Sequence, residues 1–369
     1  MADAREFNSI DALAEYRDQW RQLLDRTEKP SFFQSFEWLE VYWRHFGSGQ
    51  KLRVLVTYDN GQPTGLLPLV VLREKTRVGW VRVLTYPLHD WGTYYGPIGP
   101  NLQATLQIGL DYLRRSPRDW DILELRWVHP DTPVFEATAV CVRAAGFQGY
   151  KTLWDRTAVA ELSGTWQEYL DRRPAKWRSN LRRAERRLRQ RGRLTIVHWR
   201  PSQLAGDDGS PRWDLYDACE QIASRSWQAD CATGTTLSHP SVRPFLRDVH
   251  QAACKAGAVD LHVLYLDGQP VSFAYNYQWR GRVEGLRIGY DPAISRDGAG
   301  NLLLAKAVEA SFQRADWLYD LGVGSLRSKR YFATRIVPVY RYSHFAPGVG
   351  RIQIVRLKRC WQARFAGWL

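Results

Sequence analysis

The chain has 369 residues, of which 44% are apolar and 24% charged, and it carries a formal net charge of +14. That length accommodates two domains with proper cores, and the balance is that of a globular chain rather than a disordered one. No apolar run approaches the roughly 20 residues a membrane-crossing helix needs; the longest, 66-LLPLVVL-72, is interrupted by Pro68.

The opening MADAREFNSIDALAEY has early acids and no apolar h-region, so no secretory signal is expected. A helix is expected over 36–46. Residues 52–72 then read as strand, turn, strand, with alternating apolar positions broken at Asp59-Asn60-Gly61. The segment 86-YPLHDWGTYYGP-97 crowds His, Asp, Trp and two Tyr into a loop after a strand, and loops of that kind tend to bind; an aromatic-capped turn is the bland alternative. A helix over 103–115 leads to 119-DWDILEL-125, a buried strand. The same plan then returns. A helix over 242–256 precedes a hairpin over 261–279, which shares Gly-Gln-Pro with the first (61–63 and 268–270). A helix over 301–314 precedes 316-DWLYDLG-322. A period near 200 residues is too long for a solenoid and predicts duplicated domains. The pattern divides the chain into an N-terminal domain over 1–160, a basic helical segment over 161–200 and a C-terminal domain over 201–369.

The basic segment lies between the two copies. From Arg172 to Arg193 there are eleven Lys or Arg and one acid, Glu185, so most of the net charge sits in one block. Trp177, Leu181, Ala184 and Leu188 are spaced 4, 3, 4 and share one helix face, with Gly192 as the stop. A helix with such a stripe is docked, and the second domain is the expected seat. A block like this grips nucleic acid, lies on an anionic membrane, or receives an acidic substrate. No base-reading signature accompanies it, which argues against nucleic acid. The tail 351–369 mixes Arg and Lys with Trp361, Phe365 and Trp368, as interfacial helices do, or else packs as a terminal helix on the second domain. Five cysteines form no CxxC, and an odd count suits free thiols in a reducing cytoplasm. The eight histidines include no HExxH and no i, i+4 pair, so no metal site is expected. No Gly-x-Ser-x-Gly elbow, Walker loop or kinase signature supports a hydrolase, ATPase or kinase.

Residues 282–332 are the most informative. They read as a strand (282–289), a Gly-rich loop, a helix from Asn301, a strand (317–321) and a loop holding Lys329 and Tyr331. A Gly-rich loop feeding a helix N-terminus offers backbone N–H groups and a positive dipole end to a pyrophosphate. Gly298 and Gly300 would let the backbone approach closely, and Arg296 adds charge. Taken alone, Gly-x-Gly before a helix is more often an ordinary turn and cap.

In order and context, the second half resembles the acyltransferase domain of the GNAT superfamily, in the FemAB-like branch that includes the CelD/BcsL-type proteins of polysaccharide biosynthesis. The residues that carry the likeness are 265-YLDGQPVSFAY-275, 289-GYDP-292, 298-GAGNLLL-304, 320-DLGVG-324 and 328-SKRYF-332, preceded by the basic helix and 225-RSW-227. It covers most of 165–345 and, weakly, 35–150. The resemblance implies an α/β fold with a mixed sheet, in tandem GNAT-like domains with the basic helix between the halves. It implies acetyl-CoA or another acyl-CoA as co-substrate, held by Ile288, Gly289, Tyr290, Arg296, Gly298, Ala299, Gly300 and Asn301. One departure stands out: the Gln or Arg usual three residues before the first glycine is Ser295 here, with Arg296 one place late. The first half has no phosphate loop, since 94-YYGPIGPN-101 lacks charge. That domain is expected to keep the fold without the cofactor and to form one wall of a cleft.

The implied chemistry is direct attack of an amine on a thioester, which needs proximity, a base, a polarised carbonyl and an acid near the leaving sulfur. Backbone N–H groups at 288–290 are expected to polarise the carbonyl. Asp320 is the candidate base and Glu284 the second; Tyr331 is the candidate acid. Asp320 reads equally well as a turn carboxylate beside Gly322. Lys329 is expected to contact an anionic substrate or the CoA diphosphate, and Asp90, Tyr94, Tyr95, Arg178 and Trp227 to line the acceptor side. The expected function is that of a cytoplasmic acyl-CoA-dependent N-acyltransferase. Its acceptor is a sugar nucleotide or lipid-linked sugar of envelope or extracellular polysaccharide, with peripheral contact to the inner face of an anionic membrane. The alternatives are aminoacyl-tRNA-dependent transfer of the FemAB kind, or a non-catalytic nucleic-acid or membrane-surface binding protein. FemAB-type enzymes often insert a coiled-coil pair, and no long heptad segment exists here.

Overall fold

The structure, a computed structural model, describes residues 3–201, 210–226, 234 and 236–365, without the side chains of Ser295 and 362–365. The chain divides into two compact units, unit 1 comprising Met1–Arg156 and Val337–Leu369, and unit 2 comprising Thr157–Ile336. Unit 1 begins with β1 (Asp3–Phe7), α1 (Ile10–Ala14), α2 (Arg17–Asp25) and α3 (Phe36–Phe46). It continues with β2 (Lys51–Asp59), β3 (Gln62–Thr76), β4 (Gly79–Thr85), α4 (Leu102–Arg115), β5 (Ile122–Val128) and α5 (Pro133–Ala144). Strand β6 (Tyr150–Glu161) carries the chain into unit 2, followed by α6 (Trp166–Asp171), α7 (Ala175–Arg191), β7 (Leu194–Trp199), α8 (Trp213–Arg225) and α9 (Arg243–Lys255). Then come β8 (Val259–Leu266), β9 (Gln269–Trp279), β10 (Arg282–Tyr290), α10 (Ala299–Gln313), β11 (Leu318–Asp320) and α11 (Leu326–Lys329). Strand β12 (Arg335–Phe345) returns the chain to unit 1, which includes α12 (Gly350–Phe365).

The strands of unit 1 run in the order β1-β2-β3-β4-β5-β12, all antiparallel except the parallel β4–β5 pair. Those of unit 2 run β7-β8-β9-β10-β11-β6, again antiparallel except for the parallel β10–β11 pair. The two units match in strand order and direction, and the first five strands of each order follow in sequence; the sixth differs in connection, being the last strand of unit 1 in sequence (β12) and the first of unit 2 (β6). The matching hairpins turn through the same chemistry. Asn60-Gly61 (φ 48° and 76°) and Asp267-Gly268 (φ 50° and 77°) place two left-handed residues in a row, as a tight two-residue hairpin requires.

The basic helix α7 belongs to unit 2. Trp177, Ala184 and Leu188 are buried and Leu181 half-buried, packed against Phe332, Ala305 and Val308 at one end and Ile294, Leu302 and Leu303 at the other. Gly192 ends it where the hairpin carboxylate of Asp267 passes, since a Cβ there would lie 2.1 Å from Oδ2. The tail differs from expectation. Residues 337–369 belong to unit 1 and not to the second half: β12 pairs with β5, and Ile352 and Val355 of α12 pack with Val81, Val83 and Ile122. Strand pairing joins residues far apart in sequence, and no local pattern displays it. Among the described residues, no helix is long and apolar enough to cross a membrane.

Candidate active site

Strands β10 and β11 run side by side for only three residues, the last pair being Glu284 and Asp320. Beyond that pair β10 shifts register against β9 between Gly285 and Arg287 and continues to Tyr290, while β11 ends. Glycine permits this fork. A Cβ at Gly285 would lie 2.8 Å from the carbonyl oxygen of Asp320, and one at Gly322 (φ +75°) 2.5 Å from that of Gly285.

The fork holds a cavity of about 560 Å³, within the size range of small-molecule sites. Its walls are Gly285–Ile288 and Tyr290 on β10, Gly300, Asn301 and Leu304 on α10, and Tyr319, Leu321, Val323–Ser325, Ser328 and Lys329 on and after β11; Ala274 and Asn276 of β9 complete it. The β10 edge leaves β11 at Gly285, three residues before the 288–290 edge read from the sequence. Helix α10 starts at Ala299 rather than Asn301, with Gly298 as its left-handed N-cap (φ 84°). A Cβ on Gly298 would also sit 3.0 Å from that of Ala184, so this glycine seats α7 as well as starting α10. At Gly300 a Cβ would come within 2.9 Å of the Tyr290 ring. The first turn of α10 therefore meets the cavity without a side chain at this point, as close approach of a phosphate to backbone N–H groups requires.

Of the residues expected to hold the cofactor, Ile288, Tyr290, Gly300 and Asn301 line the cavity, and Lys329 lines it too. Gly289, Arg296, Gly298 and Ala299 do not. Gly289 lies under the Phe273 ring and its carbonyl accepts from Ser272 Oγ at 2.9 Å. Ala299 is buried with Leu302 and Ile294. Arg296 is exposed, and its carbonyl accepts from Arg187 at 3.3 Å.

The two carboxylates at the fork differ. Both are buried, and register places them on one face of the sheet with Tyr277, while Tyr319, Val283 and Asn276 occupy the other. Asp320 Oδ1 accepts from Thr157 Oγ1 and, at 2.7 Å, from the backbone N–H of Gly322, so this carboxylate caps the turn after β11. Glu284 Oε1 lies 3.4 Å from Arg282 Nε and accepts no hydrogen bond among the described residues. Burial pushes its carboxyl up to about 8, with Asp320 adding to the rise and Arg282 only partly opposing it. Tyr331 is half-buried, with its hydroxyl 2.5 Å from Arg330 Nη2, and it does not line the cavity. Lys329 Nζ donates to the carbonyls of Gly322 (2.8 Å) and Val323, holding the loop after β11.

The remaining expected residues lie elsewhere. Arg178 pairs with Asp171 at 2.8 Å. Asp90 is exposed in unit 1, where Tyr94 and Tyr95 are core residues: Tyr94 packs on Trp127 and His129, and Tyr95 on Tyr86. The two rings thus pack as the aromatic turn that the sequence offered as the alternative. Trp227 lies outside the described residues. Sequence reasoning passed over Asn276, Gly285, Arg287 and Tyr319. Of these, the glycine inside a strand pattern, Val283-Glu284-Gly285-Leu286, is the readable sign of a bulge.

Residues 175–331 match the family described as the acetyltransferase (GNAT) domain. No curated protein matches the chain by sequence. Among solved structures, FemX has a TM-score of 0.61 at 11% identity, covering 93% of this chain and 98% of its own. The C-terminal domain of a candidate lysylphosphatidylglycerol synthetase from Agrobacterium fabrum gives 0.56 at 12%, covering 95% and 96%. A tandem GNAT protein from the clavulanic acid biosynthesis pathway gives 0.51 at 11%, covering 94% and 100%. The fold is thus like those of FemX and of the tandem GNAT protein, a mixed α/β architecture consistent with tandem GNAT-like domains, and the GNAT domain match itself falls on 175–331.

Proposed function

We propose that unit 2 transfers an acyl group from an acyl-CoA thioester to an amine or hydroxyl of an anionic acceptor. The observation that carries this reading is the fork: a cavity open to the start of α10 through Gly300, beside Gly285 at its edge, and a buried, weakly acidic Glu284 that does not line the cavity but stands next to Gly285 on the other face of the sheet. The CoA diphosphate would lie against the backbone at Gly300 and Asn301, the part of the α10 start that meets the cavity, and the acyl end beside the β10 bulge. The acceptor would come from the sheet face that carries Glu284. As its nitrogen or oxygen bonds to the thioester carbonyl carbon, Glu284 takes its proton, the carbon–sulfur bond breaks, and CoA leaves as the thiolate, which takes up a proton from water. Asp320 is bonded to the turn, and we assign the base to Glu284 in its place. The anionic nature of the acceptor is supported by Arg182, Arg183 and Arg186, exposed on α7. A sugar nucleotide or lipid-linked sugar has the required charge. A thermal-shift screen of CoA thioesters, then transfer assays on nucleotide-linked amino sugars, tests the proposal; absence of any shift with CoA would remove it.

We further propose contact between unit 1 and an anionic membrane surface. On α12, Ile354 (58% exposed), Leu357 (62%) and Trp361 (65%) recur at spacings of 3 and 4 and form one apolar stripe. Lys358 and Arg351 flank it on exposed positions, as an interfacial helix requires.

A further inference from the structure

Behind the cavity of unit 2 runs a line of buried polar side chains that acyl transfer, as described above, does not use. Asp260 on β8 lies at its centre, fully buried. Its Oδ1 accepts from Arg200 Nε at 2.6 Å; its Oδ2 lies 2.8 Å from His262 Nε2 and accepts from Asn276 Nδ2 at 2.8 Å. Arg200 is anchored in turn by Asp316, at 2.6 and 3.0 Å. Burial opposes charge on Asp260, but His262 and Arg200 outweigh it and hold the carboxyl well below the usual range.

A carboxylate only accepts hydrogen bonds, so Asn276 must turn its amide nitrogen, and not its oxygen, toward Asp260. The same nitrogen has a second hydrogen, and it donates to the Tyr319 hydroxyl oxygen at 2.9 Å. That oxygen is thereby the acceptor, and its own hydrogen must point away from Asn276. No hydrogen bond donated by this hydroxyl occurs among the described residues, and both Tyr319 and Asn276 line the cavity. Burial, followed by Asp260, keeps the phenol well above its ordinary value, so the hydrogen stays in place at any working pH.

We infer that Tyr319 is a fixed hydrogen-bond donor to a carbonyl oxygen of the pantetheine–thioester segment of bound acyl-CoA, with Asn276 and Asp260 as positioning residues that set the direction of its hydrogen. This rests on the acyl-CoA reading of the cavity. A rotating hydroxyl would have to be ordered on binding; here the order is built in before the ligand arrives.

Calorimetric titration of the full chain with CoA and acetyl-CoA tests it, using Tyr319→Phe, Asn276→Ala and the double variant. Tyr319→Phe should weaken acetyl-CoA binding about three- to tenfold, the scale of one neutral hydrogen bond. Asn276→Ala should weaken it comparably while Tyr319 is present and add nothing in the Tyr319→Phe background. A merely structural Asn276 would act additively in both backgrounds, and that result overturns the positioning role. Unchanged affinity in Tyr319→Phe, with wild type binding normally, sinks this inference and leaves acyl transfer standing. Wild type that binds neither CoA nor acetyl-CoA removes both. Should Tyr319→Phe not fold, as judged by circular dichroism, Asn276→Ala alone decides, and wild-type affinity in that variant counts against the inference.

Discussion

Units 1 and 2 share a strand order but treat the space beyond their parallel strand pair in opposite ways. In unit 1 the chain after β4 fills it with its own rings. Tyr86, Trp91, Tyr94, Tyr95 and Ile98 are buried, Tyr94 packs on Trp127 and His129 past the β4–β5 pair, and Ile98 bridges to Leu66. In unit 2 the segment after β10 passes to α10 and leaves a cavity in the fork. The buried carboxylates differ in the same sense. Glu124 on β5 meets Arg126 at 2.7 Å, Arg341 at 3.7 Å and Arg359; although burial opposes its charge, the three arginines pull it down to about 2. Glu284 has Arg282 beside it without a hydrogen bond between them, and burial wins. One copy commits its polar groups to cohesion. The other keeps a space and a carboxyl that burial holds above its ordinary range, which is how a duplicated fold could divide structure from chemistry on the reading proposed above.

Replacing Glu284 should break the contrast most sharply. Glu284→Gln should lower acyl transfer about 10²- to 10⁴-fold, the range for loss of a general base, with CoA affinity retained. In the wild type the rate should climb with pH and level off above about 8, as the carboxylate form appears. Stability should move the other way. The folded chain holds this proton up to about 8, whereas the unfolded chain releases it near the ordinary 4.5. Stability is therefore lost as pH rises through that window, by about 1.4 kcal/mol per unit. Glu284→Gln should lack that loss, so its denaturation midpoint relative to wild type should improve from pH 5 to pH 8. A rate profile flat from pH 6 to 9 would contradict the assignment.

The corresponding change in unit 1 should touch stability alone. Glu124→Gln leaves Arg126, Arg341 and Arg359 around a neutral group, and breaking such a buried cluster costs about 3–5 kcal/mol. Urea unfolding should report it, while the folded fraction binds CoA as before. Because the folded carboxyl is depressed to about 2, the stabilisation is present above the unfolded value and fades as pH falls from about 4.5 toward 2. Lost CoA binding in folded Glu124→Gln would show that unit 1 is not purely structural.

A smaller effect is expected at the start of α10. Gly300→Leu would force its side chain against Tyr290 at the cavity wall. CoA binding should weaken more than tenfold, or about 1.4 kcal/mol, while far-UV circular dichroism stays unchanged. Unaltered titration curves would remove the phosphate seat from the start of α10 at Gly300 and Asn301.

Much of this arrangement was legible in the sequence because it is written in local patterns. The two hairpins, helix α3 and the helices α4, α9 and α10 follow from periodicity and turn residues. The recurrence of those patterns anticipated the shared topology. What local pattern could not show was pairing at a distance. Residues 337–345 read as the end of the second half, yet they pair with β5 of unit 1. The site divided along the same line. Gly300, Asn301 and Lys329 are marked by a loop before a helix and by charge. Asn276 and Tyr319 look like ordinary strand residues until Asp260, distant in sequence from Tyr319, fixes the amide between them. Tyr94 and Tyr95 show the same limit from the other side: an aromatic loop has the composition of a binding site and of a core, and only the fold shows that these two rings are packed.

The smallest expected effect separates the two basic helices. On α7 the apolar stripe is buried in unit 2, so its arginines can meet an anionic surface only by charge. On α12 the stripe of Ile354, Leu357 and Trp361 is exposed, so that helix can insert side chains as well. Binding to vesicles of mixed phosphatidylglycerol and phosphatidylcholine should therefore have two components with different salt responses. Arg186→Gln with Arg187→Gln should weaken it by about 1 kcal/mol per charge at low ionic strength, an effect that added salt erases. Ile354→Ser with Leu357→Ser should weaken it by a similar amount that persists in salt, because apolar burial is not screened. Co-sedimentation at low and moderate salt distinguishes the two. Full vesicle binding by the α12 variant in moderate salt, or loss of a dimer in its place, would assign the exposed stripe to a second copy of the chain instead of a bilayer.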